Sequence, residues 1–170
     1  NDEAIVFGQG TLGMEISRDL RHVDAIFVSV GGGGLISGVG GYLKSINRSI
    51  RVLGVSPKNS CVMYESLNAG EQLDLPSKPT LSDGTAGGVE FGSITFEMCK
   101  EIIDDFTVVS EQEIAKGIHI GLEKNHQLIE GAAGAAIAGF INQKEKLKGQ
   151  TVVLVMCGGN ISSTVLKSIL

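Results

Sequence analysis

The sequence is short of positive charge. Lys and Arg number 14 against 19 Asp and Glu, for a net charge of −5, and the longest basic grouping is the scattered Lys144, Lys146 and Lys148. Nucleic acid is therefore not an expected partner. Long hydrophobic runs are missing too: none approaches the roughly 18 residues of a membrane span, and no basic-then-apolar leader opens the chain, so no membrane partner is expected. Cysteine is scarce. Cys61, Cys99 and Cys157 are far apart and form no CxxC pair, which excludes a disulfide framework or zinc site and suits a reducing cytoplasm. His22, His119 and His126 have no metal-ligand spacing, so no metal is expected. Asp104, Asp105, Glu111 and Glu113 read as solvated helix-end charges. A Walker A motif is absent, because no Gly-Lys-Ser/Thr follows a glycine cluster.

What the chain does have is apolar content, 42% of 170 residues, and 24 glycines. That is core enough for one domain spanning 1–170, and too apolar for a disordered tail. Short β-branched runs at 25–30, 52–55, 106–109 and 151–156 alternate with helical stretches at 14–20, 35–46, 62–68, 93–103, from 110 onward, and 132–141. Ser110 and Glu113 form a capping box at the fifth helix. Residues 71–92 read as a long loop, a length that tends to carry function. Such alternation predicts an α/β fold, a three-layer αβα arrangement around a mainly parallel open sheet.

In that architecture ligands sit beyond the carboxyl ends of the strands. Gly31, Gly32, Gly33 and Gly34 follow Val30 and precede Leu35 and a helix. Bare backbone N–H groups beside the positive end of a helix make an anion pocket, for a phosphate or carboxylate. The plainer alternative, a tight turn, needs one glycine rather than four. A second glycine pattern, Gly8-Gln9-Gly10-Thr11-Leu12-Gly13, has the GxGxxG form of a dinucleotide fold. The acid that such a fold needs at the end of the next strand is missing, since that strand ends in glycine. Cys157 closes the last strand as either a small apolar filler or a site residue. Glu130, between Leu128-Ile129 and Gly131-Ala132-Ala133, is either a helix N-terminal anion or a pocket group.

In order and separation, five stretches resemble one family: Gly8-Gln9-Gly10-Thr11, Val30-Gly31-Gly32-Gly33-Gly34-Leu35, Leu81-Ser82-Asp83-Gly84, Ile129-Glu130-Gly131-Ala132 and Cys157-Gly158-Gly159-Asn160. The family is the fold type II pyridoxal phosphate enzymes, on the threonine/serine dehydratase and serine racemase branch. The resemblance implies pyridoxal 5′-phosphate as cofactor, with Gly31 to Gly34 and Leu35 around its phosphate. It implies Cys157 beside the pyridine nitrogen, where a weakly donating thiol leaves that nitrogen unprotonated and the ring a weaker electron sink. Gly84 and Glu130 would lie near the other edge of the ring.

The family's cofactor-binding lysine, in a Ser-x-Lys-x-Arg type motif, has no counterpart here, and neither has its Ser-x-x-Asn-His substrate loop. With Asn1 rather than Met at the start, the chain resembles the C-terminal, large-domain portion of such an enzyme, without the part holding the lysine and the small domain. Some relatives bind a divalent cation with acids that are replaced here by Ser56 and Val62, so again no metal is expected. The implied activity of the intact enzyme, expected as a cytoplasmic homodimer, is β-elimination of water from L-threonine or L-serine and deamination to a 2-oxo acid and ammonia. The alternatives are a serine racemase, a dehydratase of another hydroxylated substrate, or a non-catalytic phosphate- or dinucleotide-binding domain.

Overall fold

A computed structural model describes residues 2–170. Its centre is a sheet of four parallel strands in the order β3-β2-β1-β4, with β1 at Ala25–Ser29, β2 at Arg51–Pro57, β3 at Asp105–Val109 and β4 at Val152–Leu154. Strand β1 lies inside the sheet, and all five of its residues are buried. That explains why its sequence is a continuous apolar run rather than an alternating one.

Alternate β1 side chains feed two separate cores. Ile26 and Val28 join Val39, Leu43, Phe96 and Cys99 on one face, and Ala25 and Phe27 join Ile114, Ile118, Ala133 and Ile137 on the other. The first face carries α2 (Gly34–Ile46), α4 (Ile94–Ile102), α3 (Val62–Ala69) and, outside α2, α1 (Glu3–Asp19). The second carries α5 (Glu111–Asn125) and α6 (Gly131–Gln143), and α7 (Ser163–Ile169) ends the chain. The layers are helix, sheet, helix, as the alternation predicts.

Helix starts follow their caps. Ser93 accepts from the Thr95 amide at α4, and Ser110 with Glu113 forms the reciprocal box at α5. At the end of α3, Gly70 takes the left-handed conformation at φ +78°, which suits a residue without Cβ. Residues 71–92 contain no helix or strand beyond one short 3-10 turn at Asp83–Thr85.

Three details differ from the sequence-based expectation. Helix α1 begins at Glu3, capped by the Asp2 side chain, rather than at Met14, so the glycines of the GxGxxG pattern are helical and form no phosphate turn. Gly13 serves packing: a Cβ on it would stand 2.9 Å from the Val39 carbonyl oxygen of α2. Strand β4 is only three residues long, although the Val155 amide still donates to Phe27 O at 3.0 Å. Helix α7, capped by Ser162, is unannounced by any long apolar run.

The acidic helix-end residues are bonded rather than merely solvated. The Asp104 carboxylate accepts from the Val52 amide at 2.7 Å and pairs with Lys44 at 2.8 Å. The Asp105 carboxylate accepts from Gln143 Nε2 at 3.2 Å. Glu113 holds the Ser110 amide, and Glu111 holds the Leu81 amide, each at 2.7 Å. No helix among the described residues is long and apolar enough to cross a membrane.

Candidate functional site

The carboxyl ends of β1 and β4 open into one cleft. Past Val30, whose amide donates to Val55 O at 2.7 Å, the chain enters the four glycines, and these do different things. Gly31 packs so tightly on the Asp83–Thr85 turn that a Cβ would lie 2.9 Å from the Thr85 carbonyl oxygen. Gly33 is the N-cap of α2 at φ +85°, and a Cβ there would meet Cys99 Sγ at 2.8 Å. Local geometry therefore accounts for Gly31 and Gly33. It does not account for Gly32 and Gly34, where a Cβ would meet nothing within 4 Å; these two leave open space in front of the backbone.

Behind that space, α2 begins without any side-chain cap. The amides of Gly34, Leu35 and Ile36 are first-turn donors with no intrahelical acceptor, and the helix dipole places partial positive charge there. A cap of Ser, Thr, Asp or Asn would have filled this end, and the sequence puts glycine instead. An anion is what the vacant donors can hold.

The opposite wall is built from segments distant in the chain. Cys157 follows β4, and its Sγ lies in a hydrogen bond with Ser29 Oγ, the last residue of β1, at 3.2 Å. The side chain is open to the cleft, yet enough protein crowds the sulfur that loss of solvation pushes the thiol above its ordinary pKa. The Ser29 hydrogen bond pulls it down, and the Glu130 charge adds a further upward push. Cys157 is thus a neutral thiol near neutral pH. Cys99, by contrast, is sealed in the core, and burial drives its thiol up to about 11.

Glu130 resolves the two readings left open by its sequence. It occupies the N-cap position of α6, but its side chain does not cap the helix. Its carboxylate reaches across instead, accepting from the Asn160 amide at 2.9 Å. Gly158 is glycine because a Cβ there would press on that carboxylate, 2.6 Å from Oε1, and a Cβ on Gly84 would stand 3.2 Å from the same oxygen.

All eight residues singled out from sequence line this one cleft of about 280 Å³: Gly31, Gly32, Gly33, Gly34, Leu35, Gly84, Glu130 and Cys157. Ser29, Thr85 and Ala132 line it as well and were not predicted. Ser29 is hidden in an apolar strand, and only its hydrogen bond to Cys157 betrays it. Larger clefts exist, one of about 410 Å³ between α1 and α2 and one of about 450 Å³ along β4. Neither has a charged side chain in its lining, and neither has the open helix start. The histidines stand apart: His22 pairs with Asp24, His119 lies 3.5 Å from Glu123, and His126 ends α5 in the left-handed region.

Known proteins resemble this chain in sequence and in fold. The family described as "Pyridoxal-phosphate dependent enzyme" matches residues 1–158. The L-threonine ammonia-lyase of Thermotoga maritima is 41% identical over 170 residues, which is 100% of this chain and 42% of that protein. The L-threonine dehydratase catabolic TdcB of Escherichia coli K12 is 37% identical over 163 residues, 95% of this chain and 49% of that protein. Among solved structures, the processed form of threonine deaminase isoform 2 from Solanum lycopersicum superposes with a TM-score of 0.93 at 33% identity, covering 99% of this chain and 49% of that one. Maize serine racemase gives a TM-score of 0.87 at 29% identity, covering 96% and 50%. The chain thus spans about half the length of the relatives it matches.

Proposed function

The chain belongs to the pyridoxal-phosphate dependent enzyme family, and from that membership we propose that the cleft at the ends of β1 and β4 holds pyridoxal 5′-phosphate in a threonine/serine dehydratase. The observation that carries this reading is the convergence of the eight distant residues on one cleft with an uncapped helix start at one end and a neutral thiol at the other.

The residues present fit the cofactor. The open space over Gly32 and Gly34 accepts a phosphate that a side chain would displace, and the first-turn amides of α2 supply donors and positive potential. Cys157 offers the pyridine nitrogen a neutral, weak donor, and Ser29 steadies that thiol from behind. Glu130 and Gly84 bound the other side, where the missing Cβ of Gly84 keeps the approach open. When bound, the cofactor supplies an electron sink for the carbon from which an amino acid loses its α-proton. No lysine lines the cleft. The lysine that would anchor the cofactor, and the loop that would grip the substrate carboxylate, are assigned to parts of the intact protein outside these 170 residues.

The substrate assignment, L-threonine or L-serine converted to a 2-oxo acid and ammonia, rests on the ammonia-lyase and dehydratase relatives. Serine racemization is the second reading, favoured by the likeness to the maize enzyme. The family match weighs against a non-catalytic binding domain. A cytoplasmic setting accords with three cysteines that are all free, and a homodimer is carried over from the resemblance. The test uses the full-length protein. We expect cofactor absorbance that survives dialysis, and 2-oxo acid formation from L-threonine or L-serine exceeding D-serine formation from L-serine. A preparation that retains no cofactor, or one forming D-serine in excess, overturns the assignment.

A further inference from the structure

The turn that brings Gly84 and Thr85 to the cleft belongs to the long irregular stretch between α3 and α4, and the sheet does not hold it. Apart from one backbone bond, from the Lys78 amide to Asn59 O at 2.8 Å, side chains tie it to its neighbours. Asn59 Nδ2 donates to Pro79 O at 2.7 Å, and Ser60 Oγ bonds Ser77 Oγ at 2.7 Å and accepts from the Gly87 amide at 3.0 Å. On the N-terminal side of the turn the anchor is Glu111, whose Oε2 accepts from the Leu81 amide at 2.7 Å. On another side of Leu81, the start of α6 closes in, and a Cβ on Gly131 would collide with the Leu81 carbonyl.

Beyond Leu81 the turn is locked to itself. Ser82 Oγ bonds Thr85 Oγ1 at 2.7 Å, and the Thr85 amide donates to Ser82 O at 3.0 Å. A shift at Leu81 is therefore transmitted to Gly84, which faces Glu130, and to the Thr85 backbone, which abuts Gly31 without spare room. Helix α5 does not need Glu111 for its own start, since Ser110 and Glu113 already form its capping box. Glu111 also has a buried oxygen, Oε1, without a hydrogen-bond partner. A carboxylate that gives up solvation on one oxygen to hold a loop amide with the other spends stability on that contact.

We infer that Glu111 is a positioning residue for the cofactor cleft: it fixes Leu81 and thereby sets where Gly84 and Thr85 stand against Glu130 and the glycine loop. The inference rests on the cofactor reading above for its consequence, and on the Leu81 contact for its mechanism. The experiment compares wild-type, Glu111→Ala and Glu111→Gln full-length proteins by peptide-resolved hydrogen exchange and by titration with pyridoxal 5′-phosphate. In Glu111→Ala, exchange at 81–86 should rise by about tenfold or more, the factor expected for losing a hydrogen bond to a charged acceptor. Exchange in α5 and α6 should be unchanged, and cofactor affinity should fall by about tenfold, which we take as the same factor. Glu111→Gln keeps an oxygen for the Leu81 amide and should recover most of both. Unchanged exchange at 81–86, equal loosening of α5 and α6, or no rescue by Gln would overturn the inference. A wild-type protein that binds no cofactor would instead sink the cofactor reading, and the exchange data would still decide whether Glu111 places the turn.

Discussion

At the scale of single residues, the four consecutive glycines separate into two kinds, and substitution should show it. Gly31→Ala and Gly33→Ala push a Cβ onto Thr85 O and onto Cys99 Sγ, the latter at φ +85°. Each should destabilise the fold by about 1–3 kcal/mol, read as a lowered denaturant midpoint. Gly32→Asp has open space to occupy, so the midpoint and far-ultraviolet dichroism should barely change. Its charge stands where the phosphate is proposed, and the full-length variant should lose its cofactor on dialysis. Full retention would reduce the glycine loop to a turn.

Cys157 and Ser29 give a second residue-scale prediction. The folded thiol has a raised pKa, so its thiolate should form only above the ordinary thiol range, and its alkylation by iodoacetamide should climb at correspondingly alkaline pH. The Ser29 bond lowers that pKa; Ser29→Ala therefore raises it further and should slow alkylation of Cys157 at pH 8 in the cofactor-free protein. Peptide mass spectrometry distinguishes Cys157 from Cys61. Faster alkylation in Ser29→Ala would mean that the hydroxyl shields the sulfur rather than bonding it.

At the scale of elements, glycine decides how closely helices approach. Helices α5 and α6 cross with Gly117 against the Gly134 carbonyl, where no Cβ fits, whereas a Cβ on Gly41 of α2 would sit at an ordinary 3.5 Å from Ile102. Gly117→Ala is expected to cost about 1–3 kcal/mol by overpacking, and Gly41→Ala to gain about 0.4–1 kcal/mol by restricting the unfolded chain. Thermal unfolding of the pair checks both signs, and a stabilised Gly117→Ala would show that α5 and α6 can part at little cost. Element order, strand polarity and the α4 and α5 caps were legible in the sequence because they depend on periodicity and on short-range capping chemistry. The start of α1 was not: its glycines imitate a phosphate turn, and the close packing of Gly13 on α2, which accounts for that glycine, is not visible in the local sequence.

At the scale of the whole molecule, the sheet ends at β4 with apolar clefts on both of its faces, one against Leu12, Ile16 and Leu35 and the other against Ile120, Ile137 and Phe140. The unpaired edge of β4, flanked by apolar clefts, offers free backbone groups for further pairing. Residues 1–170 expressed alone should therefore self-associate and bind a hydrophobic dye, as seen by light scattering and fluorescence. The same preparation should release no 2-oxo acid from serine or threonine above a boiled control, since no lysine faces the cleft. A monodisperse, dye-free monomer, or measurable turnover, would contradict these expectations respectively.

The sequence by itself determined the layered α/β architecture and, with Gly84 supplied by the family resemblance, eight of the eleven residues that line the cleft, because strand ends, glycine runs and helix starts are local features that the parallel-sheet topology brings to one edge. Tertiary structure alone decided how those residues are used. It separated the space-making Gly32 and Gly34 from the packed Gly31 and Gly33, turned Glu130 away from its own helix toward Asn160 and Gly84, and paired Ser29 with Cys157 across 128 positions of chain. It also set Glu111 on the Leu81 amide, 30 residues away. Each of these depends on where segments remote in sequence stand against one another, and that follows from the packing of the helices on the sheet and of the strands on each other, which no local pattern encodes.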